Sequence, residues 1–341
     1  RTPMLSKKDL RKVWLKLKGY AQGLVRVRKN LHVYTPILIP FQRFGVVRRL
    51  NKLFLLAQFQ WLMARYGIHE PDIWTFLPNT VDLVTRLPRR KLVYYCVDDM
   101  SAFEGVAADV IRRQDEELAR GADAVFTVSR QLYEQKKQWN GRTHYSPHGV
   151  DFELFHQALS LNGAAVPEDI RDIPRPLIGF YGLISSDWID YGLVRSLSTR
   201  HPEYSFVFIG KVDRGREELP TAPNIHYLGV KPYEELYRYS RCFDVAVLPF
   251  NVNELTRYSH PLKILEYLSA GCPVVCRDIP EAHNYEGFIE IVRSGEEFSQ
   301  ALGRCLKNNN EEAVERRVNF AAQHSWDTRY EKIKEAIARL P

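Results

Sequence analysis

No stretch of this chain is apolar for long enough to span a bilayer as a helix. The longest candidate, Leu53 to Ala64, is broken by Gln58 and Gln60 and falls well short of the ~18 uninterrupted residues a spanning helix needs. The charged, apolar and small-residue succession of a secretory leader is also missing. Cysteine is scarce, with five in 341 residues: Cys96, Cys242, Cys272, Cys276 and Cys305. Their number is odd, most sit in apolar runs, and none forms a two-residue CxxC pair. They therefore read as free core thiols in a reducing cytoplasm, not as a disulfide frame or a zinc site. Zinc knuckles, RRM signatures and helix-turn-helix patterns are absent, which leaves nucleic acid without specific support as a partner.

Acidic residues are nearly missing from the start of the chain. Residues 1 to 52 hold 14 Lys and Arg against a single acid, Asp9, with Trp14, Leu15, Leu17, Tyr20, Leu24 and Val25 interleaved. Over residues 1 to 160 the balance is 26 basic to 15 acidic, a net of +11; the remainder carries 22 to 26, a net of −4. A basic segment studded with apolar side chains suits an anionic membrane surface, where each basic residue contributes about 1 kcal/mol. A solvated basic face is the plainer alternative.

What is present is composition for a folded chain, 45% hydrophobic and 26% charged, in a length that suits two domains better than one. Short β-rich runs alternate with longer segments of 3.6-residue period, the pattern of a parallel sheet covered by helices. In the first half the strands are expected at Leu31–Ile39, Asp72–Leu77, Lys91–Cys96 and Ala124–Val128. Helices are expected at Val46–Tyr66, Val106–Ala119 and Ser129–Gln138. The pattern pauses over residues 159–176, which carry Pro167, Pro174 and Pro176 and read as a linker. It restarts with strands at Leu177–Gly182, Tyr204–Gly210, Ile225–Leu228, Val245–Phe250, Pro273–Cys276 and Phe288–Val292. The expected fold is α/β, with two tandem Rossmann-like domains at 1–160 and 161–325 and a cleft between them. A C-terminal helix, 326–341, with Trp326, Tyr330, Ile333 and Ile337 on one face, packs back toward the N-terminal domain. Because a doubly wound domain normally opens with a strand, an N-terminal strand and helix are expected to be missing from this sequence.

In open parallel sheets ligands bind beyond the carboxyl ends of the strands. The segment SHPLKILEYLSAGCPVV (259–275) follows one such strand: Pro261 opens a helix carrying Lys263 and Glu266 a turn apart, and Gly271 ends it. A helix start of this kind suits a diphosphate. Lys263 adds a full charge, and the Glu266 carboxylate can accept two hydrogen bonds from a ribose diol. The bland alternative is an exposed Lys–Glu pair worth a few tenths of a kcal/mol.

The ordered set TVSRQLYEQ (127–135), SPHGVDFELF (146–155), LIGFYGLISSDWIDYGLV (177–194), FIGK (208–211), IHYLGVKPYEEL (225–236), FDVAVLPF (243–250) and LKILEYLSAGCPVV (262–275) resembles group 1, family 4-like glycosyltransferases of the GT-B fold, over roughly Lys91 to the C-terminus. Similar chains transfer sugars from UDP- or GDP-sugars in the assembly of capsule, teichuronic-acid-like and other exopolysaccharides. The resemblance implies that Glu266 binds the ribose, and that Lys263 with the Leu262 amide binds the diphosphate. The turn Val230 to Tyr233 would face the base, Gly182 would let the backbone approach the donor phosphate, and Lys211 would lie at the same edge. The nucleotide-sugar is a co-substrate, and no cofactor or metal is called for, since the helix dipole and Lys263 can neutralise the leaving diphosphate. One departure is clear: retaining members carry a glutamate eight residues before the second, and that position here is Tyr258. Retaining and inverting outcomes both stay open.

An inverting transfer needs a general base on the acceptor side. Asp98 and Asp99 end the strand KLVYYCV at the expected cleft edge. Neighbouring side chains point apart, and Asp98 is preferred for the cleft; both could instead be turn acids. His148 reads as a hinge residue sooner than a base, with Gly149 permitting an unusual backbone angle. Asp187, Trp188 and Asp190 suit either a sugar contact or a helix cap. Asn251, Asn253 and Thr256 suit either sugar hydroxyls or a polar loop. The function expected is a sugar transfer to a lipid-linked or polysaccharide acceptor at the inner face of the cell membrane. A nucleotide-sugar epimerase of the same fold is the first alternative. A catalytically silent partner of a synthase complex is the second.

Overall fold

The computed structural model describes residues 23–39, 45–103, 105–161, 166–213 and 216–340. Asp9, Trp14, Leu15, Leu17 and Tyr20, on which part of the basic-surface reading rests, lie outside the described residues, as do residues 162–165 of the linker. The chain divides into two compact units, Arg1–Val93 and Tyr94–Pro341.

In the first unit, strands β1 (Leu24–Arg28) and β2 (Leu31–Tyr34) form an antiparallel hairpin, with Val25 opposite Val33. The run 31–39 is thus not one strand of a parallel sheet as expected. Pairing ends at Tyr34, just before Pro36, which has no N–H to donate. Beyond it, two side-chain amides of the helix Gly45–Arg65 stand in for a neighbouring strand. Gln58 Oε1 accepts from the Ile37 N–H at 2.8 Å, and its Nε2 donates to the Ile37 carbonyl at 2.9 Å. Asn51 does the same at Ile39, at 2.8 and 2.9 Å. Gln58, one of the two residues that interrupt the apolar run, is therefore a backbone-satisfying group. Strand β3 (Asp72–Thr75) follows.

Strand β4 (Lys91–Cys96) carries the chain into the second unit. There β5 (Ala124–Thr127) and β6 (Thr143–Tyr145) pair in parallel. These strands read as continuous apolar runs because both faces are covered. A second sheet is built from β7 (Leu177–Tyr181), β8 (Ser205–Ile209), β9 (Ile225–Tyr227), β10 (Val245–Leu248), β11 (Val274–Arg277) and β12 (Glu290–Val292). Its order is β12-β11-β10-β7-β8-β9, and every pairing is parallel. One contiguous core underlies it, including Phe180, Phe206, Leu248, Leu265, Val275 and Phe298. The strand boundaries agree with those read from the sequence to within two residues.

Two seams tie the part of the second unit around β4 to β6 to the part around β7 to β12. At one, the buried Glu281 accepts from the Arg130 N–H at 2.6 Å, the Tyr145 hydroxyl at 2.7 Å and Asn284 Nδ2 at 2.7 Å. At the other, Val150 donates to the His324 carbonyl at 3.0 Å and accepts from the Trp326 N–H at 3.1 Å. The helix Trp326–Ala338 begins here, and Trp326 and Tyr330 stay exposed. Gly149 is not among the glycines with positive φ. Its lack of a side chain serves close approach instead: a Cβ there would lie 2.7 Å from the Trp326 N and Cα.

Candidate active site

Every donor-side residue singled out in the sequence lines one cavity of about 370 Å³: Gly182, Lys211, Val230, Tyr233, Leu262, Lys263 and Glu266. The cavity sits beyond the carboxyl ends of β7, β8 and β9, where the parallel sheet places its loops. The short helix Lys263–Ser269 supplies its floor. Glu266 is buried, and the Tyr233 hydroxyl donates to its Oε1 at 3.3 Å. Loss of hydration pushes the Glu266 carboxyl above its ordinary range, with Lys263 acting in the opposite sense. Lys263 is pulled below its ordinary value by the same loss of hydration, offset by Glu266. The two charges are thus held in an enclosed site where each is weakly solvated, and electrostatic contacts there count for more than in water. The Leu262 N–H already donates to the His260 carbonyl at 2.9 Å, so the amide the resemblance assigns to the diphosphate is engaged in this structure. Lys211 is exposed and paired with Asp213 at 2.9 Å.

Gly182 explains how Lys263 reaches the cavity. Its φ is +143°, and a Cβ there would lie 2.3 Å from Lys263 Cε and 3.0 Å from Nζ. Because the obstructed atoms belong to the far end of a flexible side chain, the lysine would move before the backbone did. Gly182→Ala is therefore expected to lower nucleotide affinity about tenfold, with a fold cost of roughly 1–2 kcal/mol from the backbone conformation. Calorimetry and denaturant unfolding read the two effects separately; a large fold loss with unchanged affinity would contradict the account.

A second cavity, of about 420 Å³, is walled by the loops after β4, β6, β7 and β10: Asp98, Phe103, His148, Leu183, Trp188, Phe250, Ser259, His260 and Lys263 are among its residues. The adjacent acids behave differently. Asp99 caps the turn that follows, accepting from the Ser101 N–H at 2.9 Å and the Ser101 hydroxyl at 2.6 Å. Asp98 lines the cavity, and burial, with the neighbouring Asp99 charge adding to it, pushes its carboxyl up to about 6. A carboxylate raised toward neutrality is a better proton acceptor than an ordinary one.

The polar loop after β10 is internally committed. Asn251 Nδ2 donates to the Ser186 carbonyl at 2.7 Å, and Asn253 Nδ2 to the Asp187 carbonyl at 2.8 Å. Asn253 and Thr256 form a reciprocal capping box. Asp190 caps the helix Tyr191–Arg200 through the Leu193 N–H at 2.8 Å. Sequence reasoning passed over His260 and treated His148 as a hinge, yet both line the second cavity. The signal was available: each directly follows or precedes a proline in a loop beyond a strand's carboxyl end. Among the described residues, no group of three or more His, Cys, Asp or Glu side chains is placed to hold a metal.

Parallel α/β sheets with ligand-sized cavities at their carboxyl edges are what the GT-B fold provides, and that is the fold of this chain. It aligns at a TM-score of 0.70 and 16% identity with HepE of Anabaena solved with UDP and glucose, over 90% of this chain and 84% of that one. It aligns at 0.67 and 15% with a sucrose-phosphate synthase of Thermosynechococcus elongatus, over 97% and 93%. By sequence, residues 175–308 match the model of Glycosyl transferases group 1. Among curated proteins it is 24% identical over 237 residues to TuaH of Bacillus subtilis (strain 168), named as a teichuronic acid biosynthesis glycosyltransferase. The match takes in 66% of this chain and spans 59% of the length of that relative.

Proposed function

We propose that this chain is a glycosyltransferase that moves a sugar from a UDP- or GDP-sugar to a lipid-linked or polysaccharide acceptor in cell-surface polysaccharide synthesis. The observation that carries the reading is the buried Glu266 beside Lys263 in the cavity beyond β7 to β9. Glu266 accepts the ribose hydroxyls, Lys263 neutralises the diphosphate, and the Val230 to Tyr233 turn meets the base. The group 1 family match and the UDP-bound structural neighbours support a nucleotide-sugar donor. The transferred sugar then extends past Lys263 into the second cavity, where Asp98 takes the proton of the acceptor hydroxyl. Lys263 and the electrostatics of the site supply the charge neutralisation of the leaving diphosphate, so we place no metal in the step. The deciding experiment is calorimetric binding of a panel of UDP-, GDP- and dTDP-sugars followed by product detection with glycan acceptors. Saturable binding with transfer supports the reading; turnover of donor alone would favour an epimerase, and binding without turnover a silent partner.

The acceptor-side surface is assigned to the anionic inner face of the cell membrane. Val46, Leu50, Leu53, Phe54 and Trp61 are all exposed and share one face of the helix Gly45–Arg65, which also carries Arg49, Lys52 and Arg65. No helix among the described residues is long and apolar enough to cross a membrane. Such a surface lies on a membrane through apolar contact plus charge. Binding to vesicles containing phosphatidylglycerol should therefore weaken about tenfold or more between 50 and 300 mM salt, as screening shortens the reach of the charges. Co-sedimentation indifferent to both salt and anionic lipid would remove the membrane from the proposal.

A further inference from the structure

We propose that His148 is a substrate-contacting residue that hydrogen-bonds a hydroxyl of the transferred sugar, and that His260 is the positioning residue that fixes its ring. This rests on the glycosyltransferase reading above and specifies the sugar end of that site.

The backbone on which His148 sits is held on both sides. Before it, the Ser146 N–H donates to the Thr127 carbonyl at 2.8 Å, and the Tyr95 hydroxyl donates to the Ser146 carbonyl at 3.2 Å. After it, Gly149 packs against the Trp326 backbone, and Val150 is hydrogen-bonded through both its N–H and its carbonyl. A hinge would need freedom at this point, and the segment has little. The ring itself lies edge-to-face with His260 at 5.5 Å between centroids, and with Trp326 at 5.9 Å. It lines the same cavity as Asp98, Trp188, Phe250 and Lys263. Apolar and aromatic walls with a few fixed polar groups are what a sugar site requires.

His260 is the second observation. It is buried, its Nε2 shares a hydrogen bond with the Tyr285 hydroxyl at 2.9 Å, and its Nδ1 is buried without a partner. A buried ring nitrogen with no partner is uncommon and calls for a reason. Here the ring is anchored through Tyr285 at one nitrogen and braces His148 with its other edge. Burial pulls both imidazoles below their ordinary values, His148 to about 4, so both are neutral at pH 7. A neutral imidazole offers one donor and one acceptor, the pair that a sugar hydroxyl needs, and it adds no charge beside Lys263. The pair thus supplies polar contacts in a chain whose family-pattern glutamate is replaced by Tyr258.

The test compares a sugar nucleotide with its parent nucleotide, using whichever member of the UDP-, GDP- and dTDP-sugar panel binds the wild-type chain. His148→Ala is expected to leave parent-nucleotide affinity within about twofold while lowering sugar-nucleotide affinity or kcat about tenfold, the scale of one hydrogen bond lost with its partner left unpaired. His148→Asn or His148→Gln should restore part of the loss. His260→Leu should show the same split at smaller size, and a deoxy-sugar nucleotide lacking the contacted hydroxyl should bind wild type and His148→Ala alike. Equal losses for nucleotide and sugar nucleotide, or no loss for either in a variant with native thermal stability, would overturn the proposal. Failure of any nucleotide to bind folded wild type would instead overturn the glycosyltransferase reading beneath it.

Discussion

Glu266→Ala should bind its nucleotide roughly 10²–10³-fold more weakly than the wild type, with Lys263→Ala losing roughly 10–10²-fold. The scale follows from charge-assisted hydrogen bonds, each worth about 1.5–3 kcal/mol. Glu266 is buried and offers two oxygens, one of them already met by Tyr233 at 3.3 Å. A ribose diol would complete its shell. Removing the carboxylate also strands Lys263, whose charge is already disfavoured by burial, so the two variants should not be additive. Glu266→Gln separates charge from shape: it keeps acceptor and volume and should fall between wild type and Ala. Because burial raises the Glu266 carboxyl above its ordinary value, affinity should decline on acidification at a higher pH than an exposed glutamate would give. Calorimetry across pH reads all of this, and nucleotide affinity unmoved in Glu266→Ala would remove the cavity from the donor role.

The second large effect concerns Asp98. Asp98→Asn should lower kcat by about 10²–10⁴-fold, the contribution of a positioned general base, with donor affinity little changed. The rate should rise with pH and level off above about 6, since the base works only when ionised and its carboxyl is held at about 6. The same shift has the opposite sign for the fold. The folded carboxyl is raised above its unfolded value of 3.8, so ionisation is easier in the unfolded chain. The resulting cost is absent below about pH 4 and fully present above about pH 6, on the order of 2–3 kcal/mol. Asp98→Asn should therefore unfold at a higher temperature than wild type at pH 7.5 and lose that advantage at pH 4. A variant that is both inactive and more stable marks a group kept for chemistry; a variant less stable at pH 7.5 would mark Asp98 as structural. Asp99→Asn, which weakens only the turn to Ser101, should keep most of the activity.

The alternation of apolar runs and helical segments was enough to locate the strands from β4 onward except the short β6 (Thr143–Tyr145), because a strand buried on both faces must be apolar along its length. That Lys263, Glu266 and the other residues expected at the donor would line one cavity was equally legible, since loops at the carboxyl edge of a parallel sheet are fixed by topology, and Lys263 and Glu266 stand on a helix that topology positions. The first unit was harder. The run 31–39 reads as one strand, but Pro36 and the amides of Asn51 and Gln58 turn its second half into a segment bound by side chains. No local pattern announces such pairing between a loop and a helix. Asp98 was preferred to its neighbour Asp99 only because adjacent side chains point apart, and what fixes Asp99 as a turn cap is its pair of contacts with Ser101. Asn251, Asn253 and Thr256 suited sugar hydroxyls and a polar loop alike, and in the structure Asn251 is bound to the Ser186 carbonyl while Asn253 and Thr256 cap each other. His148 and His260 were obscured for a different reason: their partnership spans 112 positions in sequence and exists only as a ring contact.

Among the described residues, the two cavities have only Leu183, Leu262 and Lys263 in common. Both draw on the loop after β7 and the segment around residues 259–266, but the loops after β8 and β9 line the first alone and those after β4 and β6 the second alone, so substitutions in those loops that retune one chamber need not disturb the other. The fold is in this sense modular, with a single charged side chain at the party wall. Descendants of this chain can change base or acceptor by loop drift, one chamber at a time, whereas a change at Lys263 would be felt in both at once.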